Sequence, residues 1–141
     1  MRPNDFTVLL KIRHVDVDPD SLTEALGIVP EYSWRGGESK ADDGDPQATR
    51  RETYWVARVP PMPPEVAWLE GTLMLAALLL ARRKDFWTKL QAEGARAELV
   101  VVFGETTLSG FELPHELLSM LSKLGLSVSF DLRDAAEEAA A

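Results

Sequence analysis

Cysteine is absent from all 141 residues, which removes disulfides, thiolate metal sites and cysteine nucleophiles together and fits a reducing compartment. Histidine is scarce. His14 and His115 are isolated in the sequence, with no H-x-x-x-H or H-E-x-x-H pair, so no zinc centre is expected and both read as structural or solvated residues. No G-x-S-x-G elbow presents a serine nucleophile, and neither G-x-G-x-x-G nor G-x-x-x-x-G-K-[ST] cradles a phosphate. The acids of "DVDPD" alternate like the start of a calcium loop. That loop, however, wants glycine where Ser21 stands and a bidentate glutamate where Gly27 stands, so helix capping by Asp18 is the expected role. No catalytic residue, metal or cofactor is expected.

Positive charge is also in short supply: 15 Lys and Arg face 23 Asp and Glu, a formal net charge of −8. Such a chain repels a phosphate backbone and is not expected to bind nucleic acid, whereas a basic protein partner would be attracted. A membrane-length apolar run is missing. The longest candidate, "VAWLEGTLMLAALLLARRK", is interrupted by Glu70 and Gly71 and stops at Arg82, short of the ~20 residues a span requires. The start, "MRPNDFTVLLKIRH", has no sustained apolar core before a small-residue cleavage site and does not read as a secretory signal, so cytoplasm is the expected compartment.

What remains is the composition of a globular protein, 45% hydrophobic and 27% charged. The expected organisation is one α+β domain over residues 1–133, followed by a flexible acidic alanine tail over 134–141. Phe6 to Arg13 alternates as a half-buried strand. A short helix follows, with Asp18 as its cap, Pro19 in its first turn and Gly27 as its stop. "ETYWVARV" predicts a second strand, ended by "PPMPP". Residues 65–93 predict a long helix with a bend or break near "RRKD". "RAELVVVFG", apolar on both faces, predicts a central strand with "TTLSGFEL" as its hairpin partner. Pro114 opens a last helix, Gly125 closes it, and Leu126 to Leu132 alternate as the final strand. The expected order is β-α-β-α-β-β-α-β, a ferredoxin-like split βαβ arrangement with helices on one face of a mainly antiparallel sheet.

One stretch invites a functional reading: "PEYSWRGGESKADDGDPQATRRETYWVARV". Gly36 and Gly37 permit close backbone approach, Trp34 and Trp55 offer flat apolar faces, and Arg35, Arg50 and Arg51 offer planar forks for a carboxylate or phosphate. These seven residues form the candidate ligand site. The competing structural reading has Trp34 plugging the end of the core, the glycines making a turn and the arginines pairing with Glu38 or Glu52. The middle, "ESKADDGDPQAT", has little to bury and is expected to be mobile. The long helix raises a separate expectation. Trp68, Leu75, Leu78 and Leu79 lie off the stripe of Leu69, Leu73, Ala76 and Leu80, and a second apolar face suggests a homodimer through residues 65–81.

Three stretches, "LGIVPEYSWRGG", "RRETYWVARV" and "ELPHELLSMLSKLGLSVSFDL", are similar to the bacterial domain of unknown function 4279. The most specific part is the L-G-x-x-P-x-x-S-W-x-x-G run from Leu26 to Gly37, followed by the strand tryptophan Trp55. The resemblance implies a soluble bacterial α+β domain and brings no catalytic residues. The expected function is a non-enzymatic protein-interaction module, with the immunity or antitoxin type as its candidate form, binding through the open sheet face or the long loop. The alternative is a small anionic-ligand binder or hydrolase using the Arg/Trp pocket.

Overall fold

A computed structural model of the chain describes residues 6–37, 51–60, 68–103 and 111–132. Its elements in chain order are β1 (Phe6–His14), α1 (Pro19–Leu26), β2 (Tyr32–Trp34), β3 (Thr53–Arg58), α2 (Leu69–Ala81), α3 (Lys84–Ala92), β4 (Arg96–Phe103), α4 (His115–Leu124) and β5 (Leu126–Leu132). The expected tail and the whole of the "ESKADDGDPQAT" loop lie outside the described residues.

The strands form one sheet in the order β2-β3-β1-β4-β5. β1 sits at its centre because its alternation supplies a fully apolar inward side: Val8, Leu10 and Ile12 are buried beneath the helices. Full burial of a leucine or isoleucine contributes about 1.5–3 kcal/mol. β3 and β4 each run antiparallel to β1, one on either side. They are therefore parallel to one another, with α2 and α3 connecting them. This is a split βαβ unit with the N-terminal strand in the gap. β2 adds antiparallel to β3, and β5 adds parallel to β4 through α4, so the sheet is mainly antiparallel and the class is α+β.

The order of elements departs from the expected one at two places. A short strand, β2, forms where only a loop is expected. The break expected near "RRKD" falls at Arg82 and Arg83 and divides the long helix into α2 and α3. Trp87, just past that break, is buried and donates its indole N–H to the Leu80 carbonyl at 2.9 Å, which also accepts the Arg83 N–H at 3.0 Å. Second, β4 takes other partners than the hairpin strand expected from "TTLSGFEL". The described residues of that stretch, Phe111 to Leu113, are not strand, and both edges of β4 are already filled, by β1 and by β5. Residues 106–110 of that stretch lie outside the described residues.

Helix ends follow the local signals. The Asp18 carboxylate accepts the Asp20 N–H at 3.0 Å, Pro19 opens α1, and Gly27 closes it at φ 68°. α4 stops in the same way at Gly125, φ 71°, which lets the chain turn straight into β5. The core cluster draws on one sheet face and all the helices: Leu10, Ile12, Trp55, Leu99, Val101 and Phe103 meet Leu22, Leu69, Leu73, Trp87, Leu90 and Leu117. The other sheet face has no helix upon it among the described residues.

Candidate functional site: the uncovered sheet face

Strand periodicity sends alternate residues to the uncovered face, and the cross-strand register lines them up in rows. One row runs Trp34, Tyr54, Arg13 and Arg96. The next runs Tyr32, Val56, Lys11 and Glu98. Val56 and Val100 are buried on this side by neighbouring side chains and stand apart from the helix-covered core cluster. The face is thus an apolar floor with aromatic and charged groups standing on it.

At the β2 edge the aromatic groups form a cluster. Trp34 stacks on Tyr54 with ring centroids 5.0 Å apart and planes inclined by 29°. Tyr32 lies 6.0 Å from Trp34 and 5.9 Å from Tyr54. The Arg13 guanidinium covers Tyr54 at 5.4 Å from the ring centre, a cation–π contact. Burial raises the Tyr32 phenol above its ordinary value of 10.0, and the neighbouring Tyr54 phenol and a hydrogen bond with it push the same way, while Lys11 opposes them. Tyr32 nonetheless remains half exposed. Aromatic edges with one guanidinium, partly wetted, are the chemistry of an adhesive surface.

The described residues among the seven singled out in the sequence are divided between the two faces of the sheet and the loop before α1. Trp34 is on the uncovered face, not at the end of the core. Trp55 points the other way, is fully buried, and donates its indole N–H to Thr23 at 3.0 Å, fastening β3 to α1. Arg35 serves the loop before α1: its Nε donates to the Asp16 carbonyl at 3.1 Å and its Nη1 lies 3.9 Å from Asp18. Gly36 passes so close to β1 and β3 that a Cβ there would collide with the Val15 carbonyl and press on Glu52 and Thr53. Its N–H is accepted by the Thr53 hydroxyl at 3.0 Å, which in turn donates to the Val17 carbonyl at 2.6 Å. Gly37 sits at φ 93°, a backbone conformation that glycine adopts without strain. Arg51 is exposed, and Arg50 lies outside the described residues. Glu52 reaches Arg96 at 3.6 Å, not Arg35.

The histidines occupy structural positions. His14 is buried at the end of β1. Its Nδ1 accepts the Asp16 and Val17 N–H groups at 3.1 and 3.0 Å, so its proton sits on Nε2 and is donated to Glu93 at 2.8 Å. His115 is exposed on α4, 3.2 Å from Glu116. Among the described residues no three His, Asp or Glu side chains gather where a metal ion could be held, and no helix is long and apolar enough to cross a membrane.

The chain matches the family described as domain of unknown function (DUF4279) over residues 4–135, nearly its whole length. It belongs to the DUF4279 family. No curated protein matches it. In this DUF4279 chain the Leu26–Gly37 run acquires a physical sense: Leu26 and Gly27 end α1, Ser33 and Trp34 build β2, and Gly36 slips between two backbones. The residues that sequence reasoning misses on the uncovered face are Lys11, Arg13, Tyr32, Tyr54 and Arg96. The polar side of β1 hints at Lys11 and Arg13. Tyr54 carries no signal beyond its place next to Trp55.

Proposed function

We propose that the protein is a non-enzymatic interaction module that engages a protein partner through the uncovered face of its sheet. The observation that carries this reading is the Tyr32–Trp34–Tyr54 cluster capped by Arg13. Tryptophan, tyrosine and arginine dominate binding energy at protein interfaces because they supply large contact areas at low entropic cost. Here they stand at a sheet edge without a helix upon them among the described residues. An immunity-like or antitoxin-like role is the form this module takes in the proposal, and the net charge of −8 suits a basic partner outside the local cationic rows. The anionic-ligand alternative at Arg35, Arg50 and Arg51 is less favoured, since Arg35 is engaged with Asp16 and Asp18.

The test is affinity purification from the source organism with tagged wild type and two variants. A stoichiometric protein retained by wild type, lost with the double variant Trp34→Ala/Tyr54→Ala, and kept by Leu79→Glu supports the reading. A protein retained equally by all three, or none at all, removes it.

A second copy of the chain is the proposed occupant of the outer face of α2. Trp68, Leu78 and Leu79 are 49%, 48% and 44% exposed, opposite the buried row of Leu69, Leu73, Ala76 and Leu80. A row of large apolar side chains this exposed is a surface that association would cover.

A further inference from the structure

We infer that the uncovered sheet face carries a binding site for a small oxyanion, the carboxylate or phosphate monoester group of a low-molecular-weight ligand. It lies where the first turn of β4 and β5 meets the C-terminal half of β1. Lys11, Arg13, Arg96 and Ser127 line a depression of about 270 Å³ there, with Glu98 in its wall. In a chain of formal charge −8 this is a local gathering of cations.

The register creates the site. Arg13 is set directly opposite Arg96, and Lys11 opposite Glu98. Like charges directly opposite one another across antiparallel strands repel, since the paired Cα atoms are only about 4.5–5.5 Å apart. Lys11 is two residues from Arg13 on the same face, about 6.8 Å along the strand, so all three long side chains can reach one anion. Among the described residues no carboxylate is within ion-pairing distance of Lys11 or Arg13. Glu98, the nearest candidate by register, accepts the Ser129 hydroxyl at 2.6 Å, which holds it toward β5. Arg96 reaches across the end of β1 to Glu52 at 3.6 Å, an exposed pair with which a bound oxyanion competes. Arg13 rests over the Tyr54 ring on the β3 side, and its long side chain swings toward β4 to meet an anion in the depression.

An oxyanion placed between these groups relieves the Arg13–Arg96 repulsion and gives two guanidinium forks, an ammonium and the Ser127 hydroxyl one common acceptor. Glu98 limits the ligand's size and charge on the β5 side, where a bulky polyanion would meet it. The site does not rest on the protein-partner reading: the purified chain can bind the ion alone, and neither Trp34 nor a second protein is required.

The experiment is an amide-shift titration of isotope-labelled protein with sodium phosphate, with sodium acetate and with sodium chloride, at fixed pH and ionic strength. Saturable shifts at residues 11–13, 96–98 and 127 with phosphate or acetate, absent with chloride, support the site, and the stronger ligand tells which oxyanion it takes. Lys11→Met and Arg13→Gln should each weaken binding about tenfold, the loss of one charged hydrogen bond. Lys11→Arg should retain binding, and Lys123→Gln, on α4, should leave it unchanged. Identical responses to chloride, a response spread over the whole surface, or undiminished binding by both weakened variants while their spectra remain folded would overturn the inference.

Discussion

Trp34 and Trp55, the two indoles that bracket the loop, are separated by the sheet itself. Trp34 pairs in register with Tyr54 and stacks on its ring at 5.0 Å on the uncovered face. Trp55, one residue further along β3, is fully buried on the helix side with its N–H on Thr23. The first is placed to meet a partner and the second to hold the fold.

That separation predicts opposite phenotypes. Trp55→Ala should destabilise the protein by about 3–5 kcal/mol, the usual result of emptying a large core site. Trp34→Ala should lower stability by only about 0.5–1.5 kcal/mol, the worth of an aromatic pair. Urea denaturation of both variants measures the contrast. Equal losses would mean that Trp34 is a core residue after all.

Thr53 and Gly36 form the clasp that holds the start of the loop to β1. Thr53→Val keeps the shape but leaves the Gly36 N–H and the Val17 carbonyl without the hydroxyl that serves both, at about 1–3 kcal/mol for each buried group. Gly36→Ala should cost about 1–3 kcal/mol through overpacking, since its neighbours are backbone atoms that cannot step aside. Denaturant midpoints report both, and amide exchange of Gly36 should rise sharply in Thr53→Val.

Ionisation of Tyr32 gives a pH signature. Its phenol is raised above 10.0 in the folded protein by burial and then by Tyr54, so the protonated form is favoured by folding. The corresponding stability is fully present below the unfolded value of 10.0 and fades as pH climbs through the higher folded value. Absorbance titration of tyrosinate should resolve a late-ionising phenol that disappears in Tyr32→Phe. Tyr54→Phe should move that transition to lower pH. A Tyr32 that ionises at the ordinary phenol value of 10.0 would contradict the packing of the cluster.

Self-association through α2 is expected to show as concentration dependence in sedimentation velocity at micromolar protein. Leu78→Glu with Leu79→Lys should give a monomer at every concentration without loss of helix content, since both side chains already face water in the single chain. A wild type that sediments as a monomer throughout would end the proposal.

Much of the fold is legible without coordinates. The alternation of β1 and β5, the Asp18–Pro19 opening and Gly27 closing of α1, and the Pro114 to Gly125 limits of α4 are local signals that the structure follows. So is the partition of α2 into a buried row and an exposed row. The candidate site was less legible. The loop arginines are drawn together by sequence proximity alone, yet Arg35 bends back to the start of α1. Lys11, Arg13 and Arg96 are brought together by strand register, and no local pattern announces that Arg13 will lie opposite Arg96.

By itself the sequence determined most of the strands and helices, which side of each is apolar, and which sequence motifs are missing, because these depend on residues only a few positions apart. The tertiary structure decided strand order, the insertion of β1 between β3 and β4, the pairing of β5 where a hairpin was expected, and the side of the sheet on which each tryptophan lies. Those choices rest on contacts between distant residues, and shifting the register of a strand by one position would exchange its buried and exposed faces.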